Sequence, residues 1–138
     1  MTEPATDGDP NSLYNLVGGL EAFRSLVDAF YRGVEHDPVL RPLYPTSLDE
    51  SREWLALFLA QYWGGPPVYS DRRGHPRLRM RHMPFVIGQR ERDAWLTHMH
   101  AAIDEVGIAE PARAEMRRYF DDASTFMINN RTNVEDRT

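Results

Sequence analysis

Apolar side chains recur every three or four residues along four stretches of the chain, the spacing of helices that each bury one face. The stretches run from Leu20 to Glu35, from Leu48 to Trp63, from Gln89 to Val106 and from Pro111 to Asn129. In the second stretch the predicted buried face consists of Leu55, Phe58, Leu59 and Tyr62. No stretch alternates apolar and polar residues over the length of a strand. The pattern therefore predicts an all-α domain.

Prolines and glycines shape the segments between these helices. The segment VEHDPVLRPLYPTS holds three prolines and supports only short turns. The sequence VYSDRRGH after Gly64-Gly65-Pro66-Pro67 is predicted to be a loop. A short helix is expected from Pro76 to His82, because proline suits a first helical turn and Pro84 pushes Met83 out of the α region. Gly107 is expected to end the third long helix.

Composition narrows the range of functions. The chain has 138 residues, the size of one domain, and a net charge of −5. This acidic balance disfavours sequence-independent nucleic-acid binding, which needs a basic face. The chain has no cysteine, which excludes disulfides, thiolate zinc sites, iron–sulfur clusters and thiolate-ligated haem. Any metal must be held by histidine, carboxylate or tyrosine.

The two ends of the chain lack helical periodicity. Residues 1–11 are predicted to be a disordered lead-in, followed by one domain at 12–130 and a tail at 131–138. The N-terminal residues do not form a secretory signal, and the longest apolar run, LALFLAQYW, is too short to span a bilayer. We expect no membrane partner and a cytoplasmic location.

His82 is the strongest candidate for a metal ligand, although a lone histidine near a helix end is more often structural. At the last turn of its helix, Nδ1–H could donate to the carbonyl near Leu78, which would leave Nε2 free for a metal. The other four histidines are poor partners, since His98 and His100 point in roughly opposite directions and the remaining two lie in turns. The sequence contains neither HExxH nor two Glu-x-x-His pairs. A single axial ligand to iron held in a macrocycle, that is haem, fits this pattern.

Three further polar aromatic residues form a candidate site. Tyr31 lies on the apolar stripe of the first long helix, Tyr44 follows it among prolines, and Trp95 lies on the inner face of the third long helix. Ordinary packing would explain each residue singly. Buried hydroxyl and indole donors need acceptors, however, and no protein acceptor is conspicuous. A bound ligand that accepts from them is therefore expected.

Five arginines precede or accompany His82 within ten residues. They are Arg72, Arg73, Arg77, Arg79 and Arg81. Most of them are expected to form a solvated charged face. Arg81 is the best candidate to pair with a carboxylate at a pocket mouth, such as a haem propionate.

Four motifs point to a known family. They are DAFYRGV with Tyr31, RPLYP with Tyr44, FLAQYWGGPPVYSDRRGHPRLRMRHMPF with His82, and ERDAWLTHMH with Trp95. From Leu13 to Asn129 the chain resembles the group II truncated haemoglobins. The resemblance implies a shortened globin fold, in which two helix pairs cross in a two-on-two sandwich around haem b (iron protoporphyrin IX).

The resemblance also implies roles for individual residues. His82 would be the proximal ligand of the haem iron, and Tyr31, Tyr44 and Trp95 would be the distal polar residues. Other implied haem contacts are Ser51 at the distal gate, Leu55 on the distal wall, Phe58 and Phe85 as walls, Leu78 beside the histidine, and Arg81, Arg79 and Tyr69 towards the propionates.

The implied function is reversible binding of O2, NO, CO or other small haem ligands. Several donors aimed at the ligand would hold oxygen too tightly for transport, so redox chemistry on bound O2, NO or peroxide with an unidentified reductase is expected. One alternative is a module that stores or senses a gas, or that binds sulfide. Another is a helical interaction domain without haem. Homo-oligomer formation stays open.

Overall fold

The computed structural model describes residues 9–130. Its seven α-helices are α1 (Leu13–Val17), α2 (Leu20–Glu35), α3 (Asp49–Tyr62), α4 (Val68–Arg73), α5 (Leu78–His82), α6 (Gln89–Val106) and α7 (Ala112–Phe126). A short 3-10 helix, Arg41–Leu43, lies between α2 and α3. These residues contain no strand, so the all-α prediction is confirmed for this part of the chain.

The long helices follow the sequence pattern closely. Helices α2 and α6 have the predicted bounds, whereas α3 and α7 are shorter than predicted at both ends. Gly107 ends α6 in the left-handed region at φ 73°, as glycine does at helix C-termini. The proline-rich segment after α2 forms only the short 3-10 helix, as expected.

Two short helices were not predicted. The segment Val68–Arg73, expected to be a loop, is helix α4. Its buried Tyr69 packs edge-on against Trp54 and Phe58 of α3, with ring centroids 5.7 Å away in each case. Helix α1 is held by the hydrogen bond from Tyr14 N to Trp63 O, at 2.9 Å. Both helices are too short to show periodicity, and tertiary contacts stabilise them.

Helix α5 ends at His82 as predicted, but the predicted cause was wrong. Met83 keeps helical backbone angles, φ −58° and ψ −33°, and is not displaced into the extended region. The helix ends because Pro84 has no N–H to donate to the carbonyl of residue 80. The start also differs: Arg77 adopts a left-handed conformation, φ 45° and ψ 52°, so the helix begins at Leu78 rather than at Pro76.

Helix α2 is the centre of the packing. It contacts both α3 and α6, α6 packs against α7, and α4 packs on α3. The two pairs, α2 with α3 and α6 with α7, enclose a core that includes Phe23, Phe30, Met99 and Phe120. Tyr62 was predicted to be buried, but it is 53% exposed. It is the last residue of α3, and its ring lies on Tyr119 with centroids 4.4 Å apart.

The predicted lead-in and tail fall mainly outside the described residues. Residues 1–8 and 131–138 are not described, so their disorder stays a prediction. Within the predicted lead-in, residues 9–11 form a turn. The side-chain amide of Asn15, in α1, donates to Asp9 O of this turn at 2.8 Å. Among residues 9–130 no helix is long and apolar enough to cross a membrane.

Candidate functional site

The His82 side chain is oriented by its own helix. Its Nδ1 lies 2.6 Å from the carbonyl oxygen of Leu78, one turn earlier, which confirms the predicted hydrogen bond. Since a carbonyl only accepts, Nδ1 carries the proton, and Nε2 is left with a lone pair. The ring is half-buried. This is the tautomer and orientation that a histidine ligand needs.

Asn129, which lies just after α7, holds the segment that follows His82. The side-chain amide of Asn129 donates to the carbonyl oxygens of His82, at 3.2 Å, and of Phe85, at 2.9 Å. Its Oδ1 accepts from Ile87 N at 3.0 Å. Sequence reasoning missed Asn129, because nothing in the sequence pairs a residue after the last helix with a loop more than forty residues earlier.

The three polar aromatic residues come together as expected. The rings of Tyr31 and Tyr44 meet edge to face with centroids 5.5 Å apart. Phe30 packs against Tyr31 at 4.9 Å and against Trp95 at 5.0 Å. Ser51, at the start of α3, hydrogen-bonds to Tyr31. We call Tyr31, Tyr44, Trp95 and Ser51 the distal cluster.

Hydrogen bonds link the four residues of the distal cluster. Tyr31 is bonded to Ser51 and to Tyr44, and the indole N–H of Trp95, which can only donate, bonds to the hydroxyl oxygen of Tyr44. The expectation that these donors lack a protein acceptor was therefore wrong, since Tyr44 supplies one. The bond between Tyr31 and Tyr44 uses one of their two O–H groups, so one phenol O–H is the donor left to point at a ligand.

The environment keeps both phenols protonated. Burial raises the pKa of Tyr31, and the neighbouring Tyr44 raises it further. Burial also raises the pKa of Tyr44, to about 12, although the bonds from Tyr31 and Trp95 partly oppose that shift. Both hydroxyls therefore remain hydrogen-bond donors throughout the neutral pH range.

A second aromatic group surrounds Tyr69. Tyr69 is buried between Trp54 and Phe58, and the guanidinium of Arg73 lies 4.6 Å from the centroid of Trp54. Sequence reasoning assigned Phe58 and Tyr69 but missed Trp54, whose position between them was not visible in the helix pattern. Leu55 is half-buried beside this group.

The arginines near His82 differ in what they contact. Arg81 donates through Nε to Pro76 O at 2.8 Å and through Nη2 to Arg73 O at 3.4 Å, so the backbone takes up much of its guanidinium. Arg79 Nη2 lies 3.5 Å from Ile128 O, and its Nη1 is buried with no hydrogen-bond partner among the described residues. Arg79 is thus the one of the two with a buried N–H group that no described protein atom accepts.

These features fit a planar, carboxylate-bearing cofactor such as haem. His82 offers one lone pair at Nε2, Arg79 offers a buried unpaired N–H, and large apolar side chains at Met83, Phe85 and Val86 are exposed near the histidine. His98 and His100 instead bind Asp37 and Asp121, and no group of three potential metal ligands occurs among residues 9–130. The donor set matches axial ligation rather than a metal held by protein alone.

His98 of α6 connects α6 to α2 near the distal cluster, through Asp37 and Gly33, and we call these three residues the His98 lock. His98 Nε2 lies 2.6 Å from Asp37 Oδ2, one turn beyond Trp95 on α6. The imidazole packs directly on Gly33 of α2, where an added Cβ would lie only 3.0 Å from its Cε1 and Cγ. The bond from His98 lowers the pKa of Asp37 despite its partial burial, and so do the N–H groups of Val39 and Leu40.

Replacing Gly33 with alanine is expected to destabilise the chain, although alanine favours helices. The new methyl would displace His98 from Asp37 and cost about 1–3 kcal/mol, as overpacking usually does. In a His98→Ala background the same change should instead stabilise by up to about 1 kcal/mol, the intrinsic helix preference. Urea unfolding of the four variants measures both values. A Gly33→Ala chain more stable than the parent would contradict the His98 lock.

Comparison with known proteins agrees with this site. The model of the bacterial-like globin family matches residues 12–129. The group 2 truncated haemoglobin YjbI of Bacillus subtilis is 40% identical over 128 residues, which cover 93% of this chain and 96% of the relative. The crystal structure of a haemoglobin from Chloroflexus aurantiacus superposes with a TM-score of 0.85 at 56% identity, covering 86% of this chain and 98% of that one. A truncated oxygen-avid haemoglobin from Bacillus subtilis superposes with a TM-score of 0.83 at 39% identity, covering 86% and 100%.

Proposed function

This chain belongs to the bacterial-like globin family as a group II truncated haemoglobin with the two-on-two fold, and we propose that it performs redox chemistry on bound O2, NO or peroxide. Membership of the family makes it a haem-binding protein that takes small gas ligands such as O2. The proposed activity is oxidation of NO to nitrate or turnover of peroxide, with electrons from an outside reductase, rather than bulk oxygen transport.

We assign the haem-holding role to His82 and the residues around it. When bound, haem b would supply an iron with an open position for a diatomic ligand. The His82 imidazole would ligate through Nε2, since Nδ1–H is committed to Leu78 O. The unpaired Nη1 of Arg79 would face a propionate, with Arg81 and Tyr69 nearby in the chain. Phe58, Phe85, Leu55 and Leu78 would supply apolar contacts.

The distal cluster would act by directing protons at the ligand. Tyr44 would donate its O–H to the ligand, with its hydroxyl held in place by the hydrogen bonds with Tyr31 and Trp95. A hydrogen bond to a charged group contributes about 1.5–3 kcal/mol. One such bond would slow the loss of a ligand that acquires negative charge by roughly ten- to a hundredfold, at about 1.4 kcal/mol per tenfold change.

The convergence of Tyr31, Tyr44 and Trp95 on one hydrogen-bonded cluster is the observation that carries this proposal. Slow release is a poor property for a transporter, because the ligand must be delivered within the carrier's working time. It suits an enzyme, which consumes the ligand where it is bound. The Bacillus subtilis relative is described as oxygen-avid, in line with this reading of the cluster.

Steady-state NO consumption tests the proposal. The oxygen-loaded protein with a generic flavin reductase and NADH should consume NO catalytically, with nitrate as product. The triple variant Tyr31→Phe, Tyr44→Phe, Trp95→Phe is expected to consume NO more slowly at low NO concentrations, because its bound oxygen dissociates before NO reacts with it. Stoichiometric consumption that stops after one equivalent would instead favour the alternative of gas or sulfide storage or sensing. The cytoplasmic location and homo-oligomer formation stay predictions.

A further inference from the structure

The segment that carries Tyr44 has little regular structure of its own. We call residues 37–48, between α2 and α3, the Tyr44 loop. Apart from the 3-10 helix Arg41–Leu43 it has no regular secondary structure, and two of its three prolines, Pro42 and Pro45, flank the tyrosine. Proline contributes no N–H, so backbone hydrogen bonds alone cannot hold this segment.

Arg41 supplies the missing hydrogen bonds. Its Nη1 donates to Pro45 O at 2.8 Å and to Tyr44 O at 3.4 Å, and its Nη2 donates to Thr46 O at 2.6 Å. In return the N–H of Tyr44 donates to Arg41 O at 3.2 Å. One planar guanidinium thus holds three successive carbonyls that begin at Tyr44 itself, a geometry that the fork of arginine suits and a lysine ammonium does not.

The other end of the Tyr44 loop is held independently. Asp37 Oδ1 accepts from Val39 N at 2.7 Å and from Leu40 N at 3.3 Å, while its Oδ2 binds His98 of α6. Leu40 is 1% exposed and anchors the loop in the core. With this end fixed, Arg41 is the side chain that holds the backbone carbonyls from Tyr44 to Thr46.

We propose that Arg41 is a positioning residue for the distal site: it holds the backbone of Tyr44 so that the phenol stays against Tyr31 and Trp95 and presents its O–H to the ligand. Arg41 acts through Tyr44 and has no contact with the ligand. The effect on ligand release rests on the proposed function, whereas the effect on the loop does not.

The Arg41→Gln variant tests this role in the haem-loaded protein. A mobile Tyr44 donates to the ligand only part of the time, so the oxygen dissociation rate should rise roughly fivefold, the factor that corresponds to about 1 kcal/mol for one net hydrogen bond. The C–O stretching frequency of the carbon monoxide complex should broaden and move towards the value of the Tyr44→Phe variant. Arg41→Lys should restore only part of both effects, because a single ammonium cannot bind three carbonyls.

A double-mutant cycle separates positioning from a general loss of stability. In a Tyr44→Phe background Arg41→Gln should leave the dissociation rate and the stretching frequency unchanged, although it still loosens the loop. Arg117→Gln is the matched control: Arg117 is equally half-buried and binds Asp104 at 3.1 Å on the α6–α7 side. This control should change neither readout. A full Arg41→Gln effect that persists without the Tyr44 hydroxyl would overturn the proposal.

Amide hydrogen exchange in the full-length protein as purified tests the structural half separately. Arg41→Gln should raise the exchange rate at the amide of Tyr44 at least severalfold and leave α6 amides unchanged, whereas Arg117→Gln should leave Tyr44 unchanged. Unaltered exchange at Tyr44 would show that Arg41 does not hold the loop. If Arg41→Gln raises exchange at Tyr44 but the chain binds no haem, Arg41 still holds the Tyr44 loop, and only the proposed function is refuted.

Discussion

Replacing His82 with glycine is expected to abolish protein ligation of the haem iron. Nε2 of His82 keeps a free lone pair, because Nδ1–H donates to Leu78 O at 2.6 Å. No other described histidine has both ring nitrogens placed this way. The purified variant should contain little haem, and added hemin should give an absorption spectrum unlike that of the parent. Millimolar imidazole should restore a parent-like spectrum, since it can occupy the space left by the side chain.

His36→Gly is the control for this experiment. His36 is exposed in the turn after α2 and is expected to be unimportant for haem binding, so its variant should keep the parent spectrum. A His82→Gly protein that retains its haem with an unaltered spectrum and without added imidazole would show that another group ligates the iron. The assignment of the site would then fail.

Removing all three polar groups of the distal cluster is expected to increase the oxygen dissociation rate by roughly ten- to a hundredfold, since a hydrogen bond to a charged ligand contributes about 1.5–3 kcal/mol. The variant is Tyr31→Phe, Tyr44→Phe, Trp95→Phe, and stopped-flow displacement of oxygen measures the rate. Single substitutions should have smaller effects. When Tyr44→Phe removes the hydroxyl to which Tyr31 and Trp95 bond, for example, the O–H of Tyr31 and the N–H of Trp95 become free to turn to the ligand.

Tyr62→Phe is the matched control for the loss of a phenol. Tyr62 is 53% exposed and packs on Tyr119, outside the distal cluster. Its variant should release oxygen at the parent rate. If the triple variant also kept the parent rate, hydrogen bonding from these residues would not govern ligand release, and the argument for redox chemistry over transport would lose its basis.

The long helices and the ligand histidine could be predicted from the sequence because local rules govern them. The apolar stripe sets the bounds of α2 and α6, and Gly107 ends α6 in the left-handed conformation that glycine adopts readily. The hydrogen bond from His82 to Leu78 follows from one helical turn of spacing. The family motifs placed Tyr31, Tyr44 and Trp95 in one site, and the structure brings them together.

Short elements and long-range bonds could not be predicted in the same way. Helix α4 has six residues, too few for a periodic pattern, and it forms because Tyr69 packs between Trp54 and Phe58. The contacts of Asn129 with the His82 segment, and of His98 with Asp37, join residues that are 44–47 and 61 positions apart. No local preference encodes such pairs.

The sequence by itself determined that the described chain is helical, the bounds of α2 and α6, and which histidine has a ring nitrogen free for a ligand. Only the tertiary structure decided that Tyr31 and Trp95 both bond to the hydroxyl of Tyr44, and that Arg41 binds three carbonyls of the Tyr44 loop. The physical reason is the distance along the chain over which each kind of interaction acts. Helix periodicity and capping act within one or two turns, whereas the partner of a buried polar group depends on which helices meet in space.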